Sequence, residues 1–85
     1  MGSPRSKVEA AHRELSSLIT SARLACGTTQ AQLGLEIGRD QTFISKLESK
    51  ERRLGVIEFV QITNALKADR TSILNAVARA LADES

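Results

Sequence analysis

Between Gln30 and Glu48 two short apolar stripes flank a glycine, and this pattern limits the fold more than any other part of the chain. Leu33 and Ile37 are four residues apart, and Ile44 and Leu47 are three apart, so each pair forms the inward edge of a short helix. Thr29 and Asp40 stand where N-caps belong, which places the segments at Gln30 to Ile37 and Gln41 to Glu48. Gly34 interrupts the first stripe. A mid-helix glycine costs about 1 kcal/mol relative to alanine, so it marks a close approach, most simply by another helix. Gly38 marks the end of the first segment and supplies the positive φ that turns the chain. Helices this short are not stable alone, so the rest of the chain has to hold them.

The flanking segments are also helical in pattern. Val8, Ala11, Leu15, Leu18, Ile19, Ala22 and Cys26 predict a first helix from about Lys7 to Cys26, ended by Gly27, with residues 1–6 flexible before it. Val56, Phe59, Val60, Ile62, Thr63 and Leu66 predict a fourth, and Ile73, Leu74, Val77, Ala78 and Leu81 a fifth, capped by Asp69 or Thr71. Phe43 and Phe59 are the only aromatic residues, and β-branched residues are too few for a sheet. The expected fold class is therefore all-α, a single five-helix domain over residues 1–85 with a helix-turn-helix at its second and third helices.

Charge and residue counts remove most other function classes. Twelve basic residues oppose ten acidic ones, for a net charge of +2, so the sum alone says little about a polyanionic partner. The segment from Arg39 to Arg53 carries a slight local excess. One cysteine (Cys26) and one histidine (His12) leave no internal disulfide, metal set or cofactor site to expect. They lie fourteen positions apart in one helical segment, so they do not suggest a nucleophile–base pair. With no carboxylate pair and no phosphate-cradling loop, the chain does not read as an enzyme. No apolar run reaches bilayer length, and no secretory leader is evident, so a cytoplasmic setting at the nucleoid is expected.

The stretch Thr29-Gln30-Ala31-Gln32-Leu33-Gly34, with Gly38-Arg39-Asp40-Gln41-Thr42-Phe43-Ile44-Ser45-Lys46-Leu47-Glu48 after it, resembles the phage repressor and Cro (XRE) family of helix-turn-helix regulators. Glu51 to Phe59 resembles a bacterial subset of that family, and the likeness runs from about Leu18 to Ala68. It implies a phage-repressor-like domain whose third helix enters the major groove of double-stranded DNA. Gln41, Thr42 and Lys46 match its base-reading positions, with Ser45 and Phe43 secondary, although Phe43 fits core packing better. Gln30 matches a position that meets a DNA phosphate, and Lys50, Arg52 and Arg53 follow the reading helix where backbone phosphates would lie. The resemblance also implies a structural ion pair between Arg23 and Glu48. Two departures stand out. Ser49-Lys50 replaces the usual Asn-Gly, which leaves the exit turn open. Arg39 replaces an apolar residue and adds a charge that could reach DNA.

The last helix has more apolar surface than a core of this size uses. Ile73, Leu74, Val77 and Leu81, within residues 71–85, are expected to form a homodimer interface, with the extended first helix as a further contributor. Regulation through occupancy alone, as a repressor or autoregulator of a phage, toxin–antitoxin or restriction–modification locus, is the expected function. RNA polymerase or a toxin protein is a further partner that this reading allows. The alternative is a protein-interaction module, such as an antitoxin or adaptor, that keeps the fold but uses another face.

Overall fold

The computed structural model describes residues 3–82, which form five α-helices: α1 (Pro4–Ala25), α2 (Gln30–Glu36), α3 (Gln41–Glu48), α4 (Val56–Leu66) and α5 (Arg70–Ala82). None is long and apolar enough to cross a membrane. The starts of α2 and α3 follow their sequence caps. Thr29 Oγ1 accepts from Gln32 N at 3.0 Å while Thr29 N donates to Gln32 Oε1 at 2.8 Å, a reciprocal capping box. Asp40 Oδ1 accepts from Phe43 N at 3.0 Å. Asp69, rather than Thr71, caps α5 by accepting from Ser72 N at 3.2 Å.

The start of α1 departs from the expectation. Ser3 accepts from Ser6 N at 3.2 Å and Pro4 takes the first helical turn, where its fixed φ suits the helix. Residues 4–6 are thus helical and not flexible; Met1 and Gly2 lie outside the described residues.

α1 to α4 all end in the same left-handed turn. In α2, Gly38 N donates to Leu35 O at 3.1 Å and Arg39 N to Gly34 O at 2.7 Å, which is a Schellman closure with Gly38 at φ +74°. Lys50 and Lys67 take the equivalent position after α3 and α4 at φ 70° and 54°. The exit from α3 therefore keeps the turn that Asn-Gly would make, although a side chain is present.

The core gathers Ile19, Leu33, Ile37, Phe43, Ile44, Leu47, Phe59, Ile62, Leu66 and Ile73 from every helix. α2 and α3 lie against one another, α5 packs along α1, and α1 and α4 close the remaining sides. Several apolar residues miss this core. Val56 is 75% exposed in the first turn of α4, and Val8 on α1 and Cys26 just after it are exposed, contrary to the stripes read from the sequence. Ile73, expected at a dimer interface, is only 8% exposed and belongs to the core of its own chain.

Gly34 faces the turn backbone, not another helix. A Cβ built there would lie 2.7 Å from the Asp40 carbonyl oxygen and 3.2 Å from that of Arg39. Neither can yield without opening the turn. Gly34→Ala is expected to destabilise the fold by about 1–3 kcal/mol in urea titration, as overpacking does. Lys67→Gly, which removes a side chain from a left-handed position, is expected to stabilise it by up to about 1 kcal/mol in the same measurement.

Candidate nucleic-acid interface

The orientation of α3 is set by an ion pair with its neighbours. Arg23, near the end of α1, donates from Nε to Glu48 Oε2 at 2.6 Å and from Nη2 to Glu48 Oε1 at 2.9 Å. Its Nη1 donates to the Thr28 carbonyl at 2.8 Å, so one guanidinium joins α1, the turn into α2 and the end of α3. The two side chains are only 11% and 8% exposed. Burial pushes the Glu48 carboxyl up, but the hydrogen bonds from Arg23 and Gln30, with the charges of Arg23 and Lys50, outweigh it and hold the group below its ordinary value. The Glu48 hydrogen bond raises Arg23 against its own desolvation.

Glu48 also fixes the polarity of a chain of amides. A carboxylate only accepts, so Gln30 turns its Nε2 to Glu48 Oε1, at 3.0 Å. Gln30 Oε1 is thereby left to accept from Gln41 Nε2, at 3.4 Å. Gln41 retains its carbonyl oxygen and one N–H, the acceptor and donor that match N6–H and N7 of adenine. Gln41 and Thr42, with Ser45 and Lys46 one turn on, are all exposed, and together they form the polar edge of α3.

Phe43 lies beside that edge but is only 7% exposed, as a core residue. The guanidinium groups of Arg39 and Arg52 lie 4.2 and 4.7 Å from its ring centroid. Arg39 further pairs with Glu58 at 3.2 Å, and Arg53 pairs with Glu9 on α1. Lys50 reaches the Glu48 carbonyl at 3.5 Å. The residues singled out as phosphate contacts thus already have partners within the protein: Gln30 inside the amide chain, and Arg39 and Arg53 in ion pairs. Composition gave no sign of the partners Glu58 and Glu9. The position of α1 beside Lys50–Arg53 was also missed, although Arg5, Glu9 and Arg13 at four-residue spacing share a helix face.

The helix-turn-helix model HTH_3 matches residues 19–73, well over half of the chain and the whole of α2, α3 and α4. The chain belongs to this XRE-type helix-turn-helix family of DNA-binding transcriptional regulators. No curated protein matches it significantly. Among solved structures it is similar to the restriction-modification controller protein C.Esp1396I, at 23% identity and a TM-score of 0.72 over 86% of this chain and 96% of that one. It is similarly close to a mutant of that protein bound to its highest-affinity operator site, at 24% identity and a TM-score of 0.72 over 87% and 97% of the two chains. The tetramer of C.Esp1396I on its natural 35-base-pair operator gives 23% identity and a TM-score of 0.71 over 86% and 96%. These likenesses establish a shared five-helix fold.

The lowered Glu48 value has a signed consequence. Its stabilisation is fully present above the ordinary glutamate value of about 4.3 and is lost as pH falls through the lower folded value. Glu48→Gln is expected to cost about 3–5 kcal/mol at pH 7, because Arg23 loses its counter-charge. That gap should narrow as pH falls below the ordinary glutamate range and Glu48 takes up its proton, which urea titrations of both proteins over a series of descending pH values would show.

Proposed function

We propose that this protein is a sequence-specific regulator that lays α3 in the major groove of a two-fold operator as a homodimer, and represses or autoregulates the adjoining gene. The observation that carries this reading is the exposed polar edge Gln41, Thr42, Ser45 and Lys46, held on a helix whose rotation the Arg23–Glu48 pair fixes. Base readout needs such an edge, since a side chain that wanders loses the geometry of a bidentate contact. Gln41 would read adenine and Lys46 guanine, with Thr42 and Ser45 beside them. Gln30, Arg39, Lys50, Arg52 and Arg53 would approach phosphates and set affinity and salt dependence.

The outer side of α5 supports self-association. Leu74 is 52% exposed, Leu81 is also exposed and Val77 is half-buried, and these are the residues we assign to the dimer contact. Two α3 helices about 34 Å apart would then meet half-sites one helical turn apart. A cytoplasmic location at the nucleoid, without catalytic activity, goes with this reading.

Selection of bound duplexes from a random pool tests it directly. The expected result is a two-fold site with half-sites about ten base pairs apart. Gln41→Ala should then lose about 1–3 kcal/mol of discrimination at one adenine position while circular dichroism stays unchanged. An antitoxin or adaptor working through another face would leave that variant silent and the pool unenriched.

A further inference from the structure

A cleft of about 160 Å³ lies between the first half of α1 and the loop after α3. Its α1 wall carries His12 and the exposed Arg13, and its loop wall carries Lys50, Arg52 and Arg53. Ser16, only 4% exposed, also lines it. Four permanent cations and an imidazole thus face a single carboxylate, Glu9, in a chain whose total charge is only +2. Glu9 is already paired with Arg53. An adjoining groove lined by Arg5, Glu9 and Arg13 continues the basic surface along α1.

We infer that this cleft takes a phosphate group of the bound DNA strand, so that Arg13 and His12 of α1 join the loop in holding the backbone. The inference rests on the DNA-binding reading above and adds α1 to its contact surface. Charge selects an anion, and a cleft of about 160 Å³ has room for a small group such as phosphate. Position selects the DNA strand as its source. Arg52 lines the cleft and also lies over Phe43, whose neighbour on α3 is the exposed Thr42, so the cleft is continuous with the reading helix. In the free protein Glu9 stands in for the phosphate. On binding, Arg53 would exchange that carboxylate for a phosphodiester oxygen, with no covalent change.

The test is fluorescence anisotropy with a 30-base-pair duplex carrying the selected site and with a scrambled duplex of the same length, between 50 and 200 mM salt. Arg13→Ala should weaken both duplexes by the same factor, about three- to tenfold at low salt, because a phosphate contact carries no sequence information. It should also flatten the salt slope by about one, so that wild type loses about three- to fourfold more affinity across this range than the variant. Glu9→Gln, which releases Arg53, should bind both duplexes more tightly. Phosphate-ethylation interference should show one backbone position at which ethylation weakens wild type more than it weakens Arg13→Ala. Unchanged affinity and slope in Arg13→Ala, or weaker binding by Glu9→Gln, would overturn the inference. So would perturbation of the His12 and Arg13 NMR signals by inorganic phosphate in a protein whose duplex binding Arg13→Ala leaves untouched, since the cleft would then serve a free anion. Gln41→Ala keeps the two readings separate: it alters the preference between the duplexes, whereas Arg13→Ala alters only the common affinity.

Discussion

The paired charges of Arg23 and Glu48 fix what apolar packing leaves free. α2 and α3 have seven and eight residues, too few to hold a helix in water without tertiary support. Ile44 and Leu47 anchor α3 in the core, but burial is non-directional and tolerates small rotations about the helix axis. Hydrogen bonds do not. The two bonds from Arg23 to Glu48, with the third from Arg23 to the Thr28 carbonyl, define where the end of α3 stands relative to α1. Buried ion pairs are often close to neutral in net stability, because desolvation offsets attraction. The value of this one lies in geometry, which Gln30 relays to Gln41.

Helix ends supply the second layer of control. The closure at Gly38 and the Asp40 cap hold the turn between α2 and α3 to a few residues, and the Asp40 carbonyl lies so close to Gly34 that no side chain fits there. After α3 the left-handed residue is Lys50, which places a cation in the turn where glycine would have been the less strained choice. The arginines on either side of α3 then settle over Phe43. Such contacts contribute only about 0.5–1 kcal/mol each at an exposed site, yet they restrict long side chains to one region of space.

Much of this was legible because the signals were local. Thr29, Asp40, Gly34 and Gly38 act within a few residues of themselves, so spacing alone located α2 and α3. The start of α1 was misread because residues 4–6 are polar or proline and carry no apolar period, although Ser3-Pro4 is a sound helix opening. Val56 shows the converse fault: its apolar character fits the stripe of α4, but in the first turn it projects past the edge of the core. Ile73 and Leu74 are adjacent in sequence and similar in chemistry, and only packing against α1 assigns the first inward and the second outward. The partners of Arg39 and Arg53 lie 19 and 44 positions away, beyond any local rule.

Those distant partners change how the charge balance should be understood. A net charge of +2 looks weak for a protein meeting a polyanion, and two of the arginines nearest α3 are neutralised in the free state. Both pairs, however, are substantially exposed, and exposed ion pairs contribute only about 0–1 kcal/mol. Giving up such a pair costs little, whereas each phosphate neutralised releases condensed counterions. Glu9 and Glu58 can therefore order Arg53 and Arg39 while competing only weakly with a duplex. The buried Glu48 plays the opposite part: removing its partner would strand a charge in the protein, so Arg23 stays with it whether or not DNA is present. Burial, rather than the identity of the residues, thus separates the arginine that orients α3 from those we propose to meet the backbone.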